Sequence, residues 1–149
     1  MFGRNSFLAI SIFLFICEKA IGFCTITASN LTFSEYNPLS SSHTDYTGIL
    51  TIYCDKTSNV QVSIGPSSNS GFNPRRLRNV EYGEMLNYNI YTDAARTRIW
   101  GDGTSGTYTV RANVKKNSSV LLKVYGRVFA TQEVGTGFYT DQLAVTISY

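Results

Sequence analysis

Alternation of apolar side chains at every second residue is the feature that most limits what this chain can become. It runs through Cys24, Ile26 and Ala28, then Leu50, Ile52 and Cys54, then Val60, Val62 and Ile64, then Leu86, Tyr88 and Ile90. The second half repeats it in Tyr108, Val110, Ala112 and Val114, in Val120, Leu122 and Val124, and in Leu143, Val145, Ile147 and Tyr149. A period of two sends successive side chains to opposite faces of a strand, and no segment sustains the 3.6-residue stripe of a helix. Turn signals separate the runs: Asn37-Pro38, Gly65-Pro66, Asn73-Pro74, Asp102-Gly103 and Gly135 to Gly137. Their spacing suits an antiparallel sandwich. The expectation is an all-β chain with almost no helix, no linker and no internal repeat.

Composition narrows the function. Of 149 residues, 43% are hydrophobic and 15% charged, which excludes disorder of the low-hydrophobicity, high-charge kind. A net charge of +3 is too small for the clustered basic stripe that nucleic-acid binding requires. One His and three Cys without ligand spacing leave no metal site to expect, and no cofactor motif is present.

Residues 1–22 read as an export leader. Arg4 supplies the basic start and Phe7 to Ile16 the apolar stretch, which is shorter than the ~20 residues that span a bilayer. Ala20-Ile21-Gly22 supplies the small residues that a signal peptidase admits, so cleavage is expected after Gly22, with Ala20 a competing site. Cys17 leaves with the leader, and bulky Ile16 before it argues against lipidation. The exported domain, 23–149, then carries two cysteines in an oxidising compartment. A Cys24–Cys54 disulfide is expected, closing a loop worth roughly 3 to 4 kcal/mol of chain entropy. That spacing is much shorter than the inter-sheet pair of antibody domains, and Trp100 lies outside the loop, which argues against an antibody-type domain.

The final segment, Asp141 to Tyr149, is a well-patterned strand with no charged side chain after Asp141. Natural sheets protect a free edge with charge, proline or a bulge, so something else must cover this one. The alternative is a strand paired on both sides within the chain, which would leave only a secreted all-β domain of unassigned purpose.

The ordered pieces along the chain resemble the spore coat protein U domain family, which includes subunits of archaic chaperone-usher pili. They are Cys24 and Cys54 bracketing Phe33 and Tyr36, then Arg75-Arg76-Leu77, and Leu86, Tyr88, Ile90 and Tyr91 before Trp100-Gly101. Tyr125-Gly126-Arg127 follows, and then Gly137-Phe138-Tyr139-Thr140-Asp141 ahead of Val145, Ile147 and Tyr149. The resemblance implies an incomplete immunoglobulin-like antiparallel β-sandwich lacking its final strand, with a hydrophobic groove beside the last strand. It implies, as partners, a periplasmic chaperone, an outer-membrane usher and the donor strand of a neighbouring subunit, with the assembled protein on a cell-surface pilus. Leu143, Val145, Ile147 and Tyr149 would form one groove wall, with Ile26 and Ala28 opposite. The family's donor extension is the point of departure: cleavage after Gly22 leaves Phe23 alone before Cys24. The implied role is an acceptor-only, tip-like subunit meeting a surface or host receptor that the sequence does not name. Two other readings remain, a structural coat or matrix protein and a free carbohydrate-binding sandwich.

Lesser signals have plain explanations. The loops 69–73 and 100–106 carry aromatic residues between glycines, as contact tips would, although Trp100 itself is expected to be buried. Arg75, Arg76 and Arg78, and Lys115-Lys116, read as solvated loops. Gly101 to Gly106 lacks the Lys and following helix of a phosphate loop. His43 and Asp45 in a Ser-rich stretch are no catalytic geometry. No enzyme activity is expected.

Overall fold

The computed structural model describes residues 24–29, 31–33 and 35–149, and the backbone of 10–16. The expected cleavage point after Gly22, with Cys17 and Phe23, lies outside the described residues. Ten strands follow one another in the chain: β1 (Ile10–Ile16), β2 (Cys24–Ala28), β3 (Leu31–Phe33), β4 (Thr44–Cys54) and β5 (Ser58–Ile64), then β6 (Arg75–Asn79), β7 (Met85–Tyr91), β8 (Val110–Val114), β9 (Ser118–Val128) and β10 (Tyr139–Ser148). No helix occurs among the described residues. Every alternating run read from the sequence lies on a strand or overlaps one.

Strand order is β2-β4-β9-β7-β6-β10-β1-β3, with β5 joining β10 and β8 joining β5. The long β4–β9 ladder runs from Thr44↔Val128 to Cys54↔Ser118 and forms the backbone of one layer. Alternation decides its faces: Leu50, Ile52 and Cys54 are buried, whereas Ile49 and Tyr53 are exposed. The expected disulfide is present, Cys24 to Cys54, with Cα atoms 4.1 Å apart. It staples β2, the last strand on that side, to β4 at directly opposed register positions.

The second layer packs across the first through close contacts that glycines permit. A Cβ at Gly48 would collide with Leu31, and one at Gly126 would sit 2.7 Å from Phe33 Cζ. Phe33 is held edge-on between Tyr46 and Tyr88, with ring centroids 6.0 Å and 6.1 Å away. Trp100 is fully buried, as expected, and its indole N–H donates to Val62 O at 3.2 Å.

Three expectations are corrected. The segment Arg75 to Arg78 lies on a strand, not in a solvated loop, and the two-residue period turns Arg75 into the core while Arg76 and Arg78 stay exposed. The Arg75 guanidinium donates to Asn89 Oδ1 and to the carbonyls of Ile64, Gly65 and Trp100. Burial holds its pKa below the ordinary arginine value. The loops 69–73 and 100–106 are not aromatic tips: Phe72 is half-buried under Arg75, and the exposed large apolar side chains include Leu39, Val80, Tyr82 and Leu121. Finally, β10 is bordered on both edges by strands of this chain, as the next subsection describes.

Candidate strand-acceptor slot

The strand β10 changes partner along one edge. Tyr139 and Thr140 pair with Asn79 and Arg78 of β6, and Val145 to Ser148 pair with Ile64 to Gln61 of β5. Between the two ladders the chain carries Asp141, a buried carboxylate that satisfies the donors exposed by the switch. Its Oδ1 accepts from the Ser68 amide and hydroxyl at 3.0 Å and 2.8 Å, and its Oδ2 accepts from the Tyr88 hydroxyl at 2.7 Å. The loop at Ser68 is thereby fixed to the first part of β10. Burial first, and the Asp141 carboxylate second, push the Tyr88 phenol well above its ordinary pKa.

The opposite edge of β10 meets β1. The two run parallel, from Ile10↔Tyr139 to Ile16↔Val145, and β1 pairs in turn with β3, from Ile10↔Phe33 to Ile12↔Leu31. The strand occupying the slot between β10 and β3 is therefore the apolar segment read from the sequence as the core of an export leader. Neighbouring strands stand about 4.8 Å apart, so without β1 the flanking strands would be separated by roughly 10 Å, too far to pair with each other. Outside Ile10–Ile16, no strand among the described residues pairs with this edge of β10.

Of the groove residues named from the sequence, Leu143 and Val145 are buried and lie in the β1 ladder. Ile147 pairs with Val62 of β5, beyond the last β1 pair, and Tyr149 is half-exposed after β10 ends. Ile26 and Ala28 lie on β2, which pairs with β4. The strand that pairs with β1 across from β10 is β3, carrying Leu31 and Phe33, both buried. The reading from sequence took the first alternating run for the wall. It passed over Leu31-Thr32-Phe33 because three residues are too few to register as a period. Tyr139 and Asp141, also missed, complete the buried face of β10.

Elsewhere, Asp45 is held by Arg127 through two hydrogen bonds of 2.7 Å and 2.8 Å and by Arg96 at 3.3 Å. His43 Nδ1 accepts the Ala130 amide.

Fold and slot together define a largely antiparallel β-sandwich whose last strand has one edge covered by the parallel segment Ile10–Ile16. The chain belongs to the Spore Coat Protein U domain family, whose pattern it matches over residues 16–146. Protein U of Myxococcus xanthus is 30% identical over 143 residues, covering 86% of this chain and 78% of the relative. Among solved structures, a chain of the CsuC-CsuE chaperone-tip adhesion subunit pre-assembly complex, from archaic chaperone-usher Csu pili of Acinetobacter baumannii, superposes with a TM-score of 0.58 at 17% identity. That alignment covers 87% of this chain but only 40% of the other, so this chain spans less than half the length of its structural neighbour. The E. coli Hda pilus minor tip subunit HdaB aligns at a TM-score of 0.43, with 19% identity over 82% of this chain and 78% of that one.

Proposed function

We propose that this protein is an exported, non-enzymatic subunit of a chaperone-usher surface fibre, and that it works by receiving a partner's strand in the slot between β3 and β10. The observation that carries the reading is the edge of β10 from Tyr139 to Val145, whose one strand partner among the described residues is the leader-like Ile10–Ile16. Removal of residues 1–22 would expose two unpaired backbone edges, a template for another strand, and the buried apolar row beneath them, which is costly in water. A periplasmic chaperone would supply a strand first and a neighbouring subunit later, at an outer-membrane usher. The exchange trades one set of main-chain hydrogen bonds for another and needs no cofactor. The fold-level likeness to a chain of the Csu chaperone-subunit complex supports the chaperone as partner. With Phe23 alone left ahead of Cys24, the subunit would receive a strand without offering one, which suits a fibre tip that meets the target surface.

The test is to export the cleaved chain alone, with a chaperone from its gene neighbourhood, and with an alternating apolar peptide from a neighbouring subunit. Yield and thermal stability should rise with either partner, and equal values in all three would overturn the reading. A second reading has its own support in the β1 ladder. If Ile10–Ile16 stays with the secreted protein, the sandwich is complete without a partner, as a coat or matrix protein would require. Mass spectrometry of the secreted chain separates the two: a start at Phe23 favours the acceptor, and retention of Ile10–Ile16 favours the coat protein.

A further inference from the structure

We infer that the uncleaved precursor caps its own acceptor slot with Ile10–Ile16, so that removing the leader is the step that opens the slot to a partner. This inference rests on the reading of the slot as an acceptor. Three observations support it. The β1 ladder covers the edge of β10 continuously from Tyr139 to Val145, seven residues or about 23 Å, and also pairs with β3. Alternate residues Ile10, Ile12, Leu14 and Ile16 take the register positions of Tyr139, Asp141, Leu143 and Val145, which are the buried residues of that stretch of β10. The segment is also a nearly continuous apolar run that the expected leader boundary separates from the domain it completes. Cleavage would convert a contact made within one chain, at high effective concentration, into a vacancy for which partners must compete in solution.

The precursor can be made whole by cell-free synthesis in oxidising buffer without membranes, where no peptidase removes the leader. In a Cys17→Ser background, the pair Phe13→Cys and Gln142→Cys tests the observed register, and Phe13→Cys with Ala144→Cys tests a shifted one. Formation of the Cys24–Cys54 disulfide confirms folding in each. The first pair should cross-link and the second should not. A chain beginning at Phe23 should be proteolysed about tenfold faster than the precursor. A synthetic peptide of residues 8–17 should restore its protection, and the same peptide carrying Ile12→Asp and Leu14→Asp should not. Equal cross-linking of both pairs, or of neither, overturns the inference even if the cleaved chain still captures a chaperone. A cleaved chain that resists protease as well as the precursor does overturns the acceptor reading itself.

Discussion

The Tyr88 hydroxyl donates a 2.7 Å hydrogen bond to Asp141 Oδ2, and both residues are buried. This bond ties β7, in the middle of one layer, to the point where β10 passes from β6 to β5. Tyr88→Phe removes the donor and leaves a buried carboxylate oxygen short of a partner. The expected loss is about 1 to 3 kcal/mol, read as a lower urea midpoint with an unchanged slope.

The same pair sets an alkaline limit. The Tyr88 phenol is held above its ordinary value in the folded protein, so above pH about 10 the unfolded chain releases a proton that the folded chain keeps. Stability is therefore full below that pH and falls as pH rises through it. Spectrophotometric titration of the folded protein should show a phenol that ionises only on unfolding, and Tyr88→Phe should remove that step.

Gly126→Ala tests the packing of the slot wall. The new methyl would meet the Phe33 ring, which is fixed between Tyr46 and Tyr88 and has no room to turn away. Overpacking of this kind costs about 1 to 3 kcal/mol. Because Phe33 belongs to β3, partner-peptide affinity should fall together with thermal stability. The double variant with Phe33→Leu should recover part of both.

Asp45 gives an acid-side prediction of smaller size. Its hydrogen bonds to Arg127, followed by the charges of Arg127 and Arg96, outweigh partial burial and hold its pKa below the ordinary value. A depressed carboxylate stabilises the fold above its unfolded pKa of about 3.9 and loses that contribution as pH falls through the folded value. Asp45→Asn should cost about 0.2 to 1 kcal/mol at neutral pH, given the exposure of the pair, and the gap to the parent protein should close in acid.

Replacing Cys24 and Cys54 by Ala should lower stability by about 2 to 5 kcal/mol, since the bridge closes a loop with a sequence separation of 30. Thermal melts with and without reductant check it: the parent should shift and the double variant should not.

The strands legible in the sequence are those long enough to show two or more alternations with one wet face. β3 has three residues, and β6 hides its period behind arginines, one of which is wholly buried and held by carbonyls that come together only in the folded chain. The position of the slot was half legible. Leu143 and Val145 announce an apolar edge, but which strand lies across from it depends on Leu31 and Phe33 finding the bare backbone of Gly48 and Gly126, distant in sequence. The composition of Phe7 to Ile16 reads as that of an export leader and is silent about pairing, because an apolar run of that length suits a leader and a sheet edge alike.

The parallel alignment along β10 also has a mechanical meaning. A strand seated there lies lengthwise against its host, so a pull directed along the strand loads the row of hydrogen bonds in shear and all must yield nearly together. Since β10 grips β6 at one end and β5 at the other, such tension is passed to two separate ladders and does not peel one edge away.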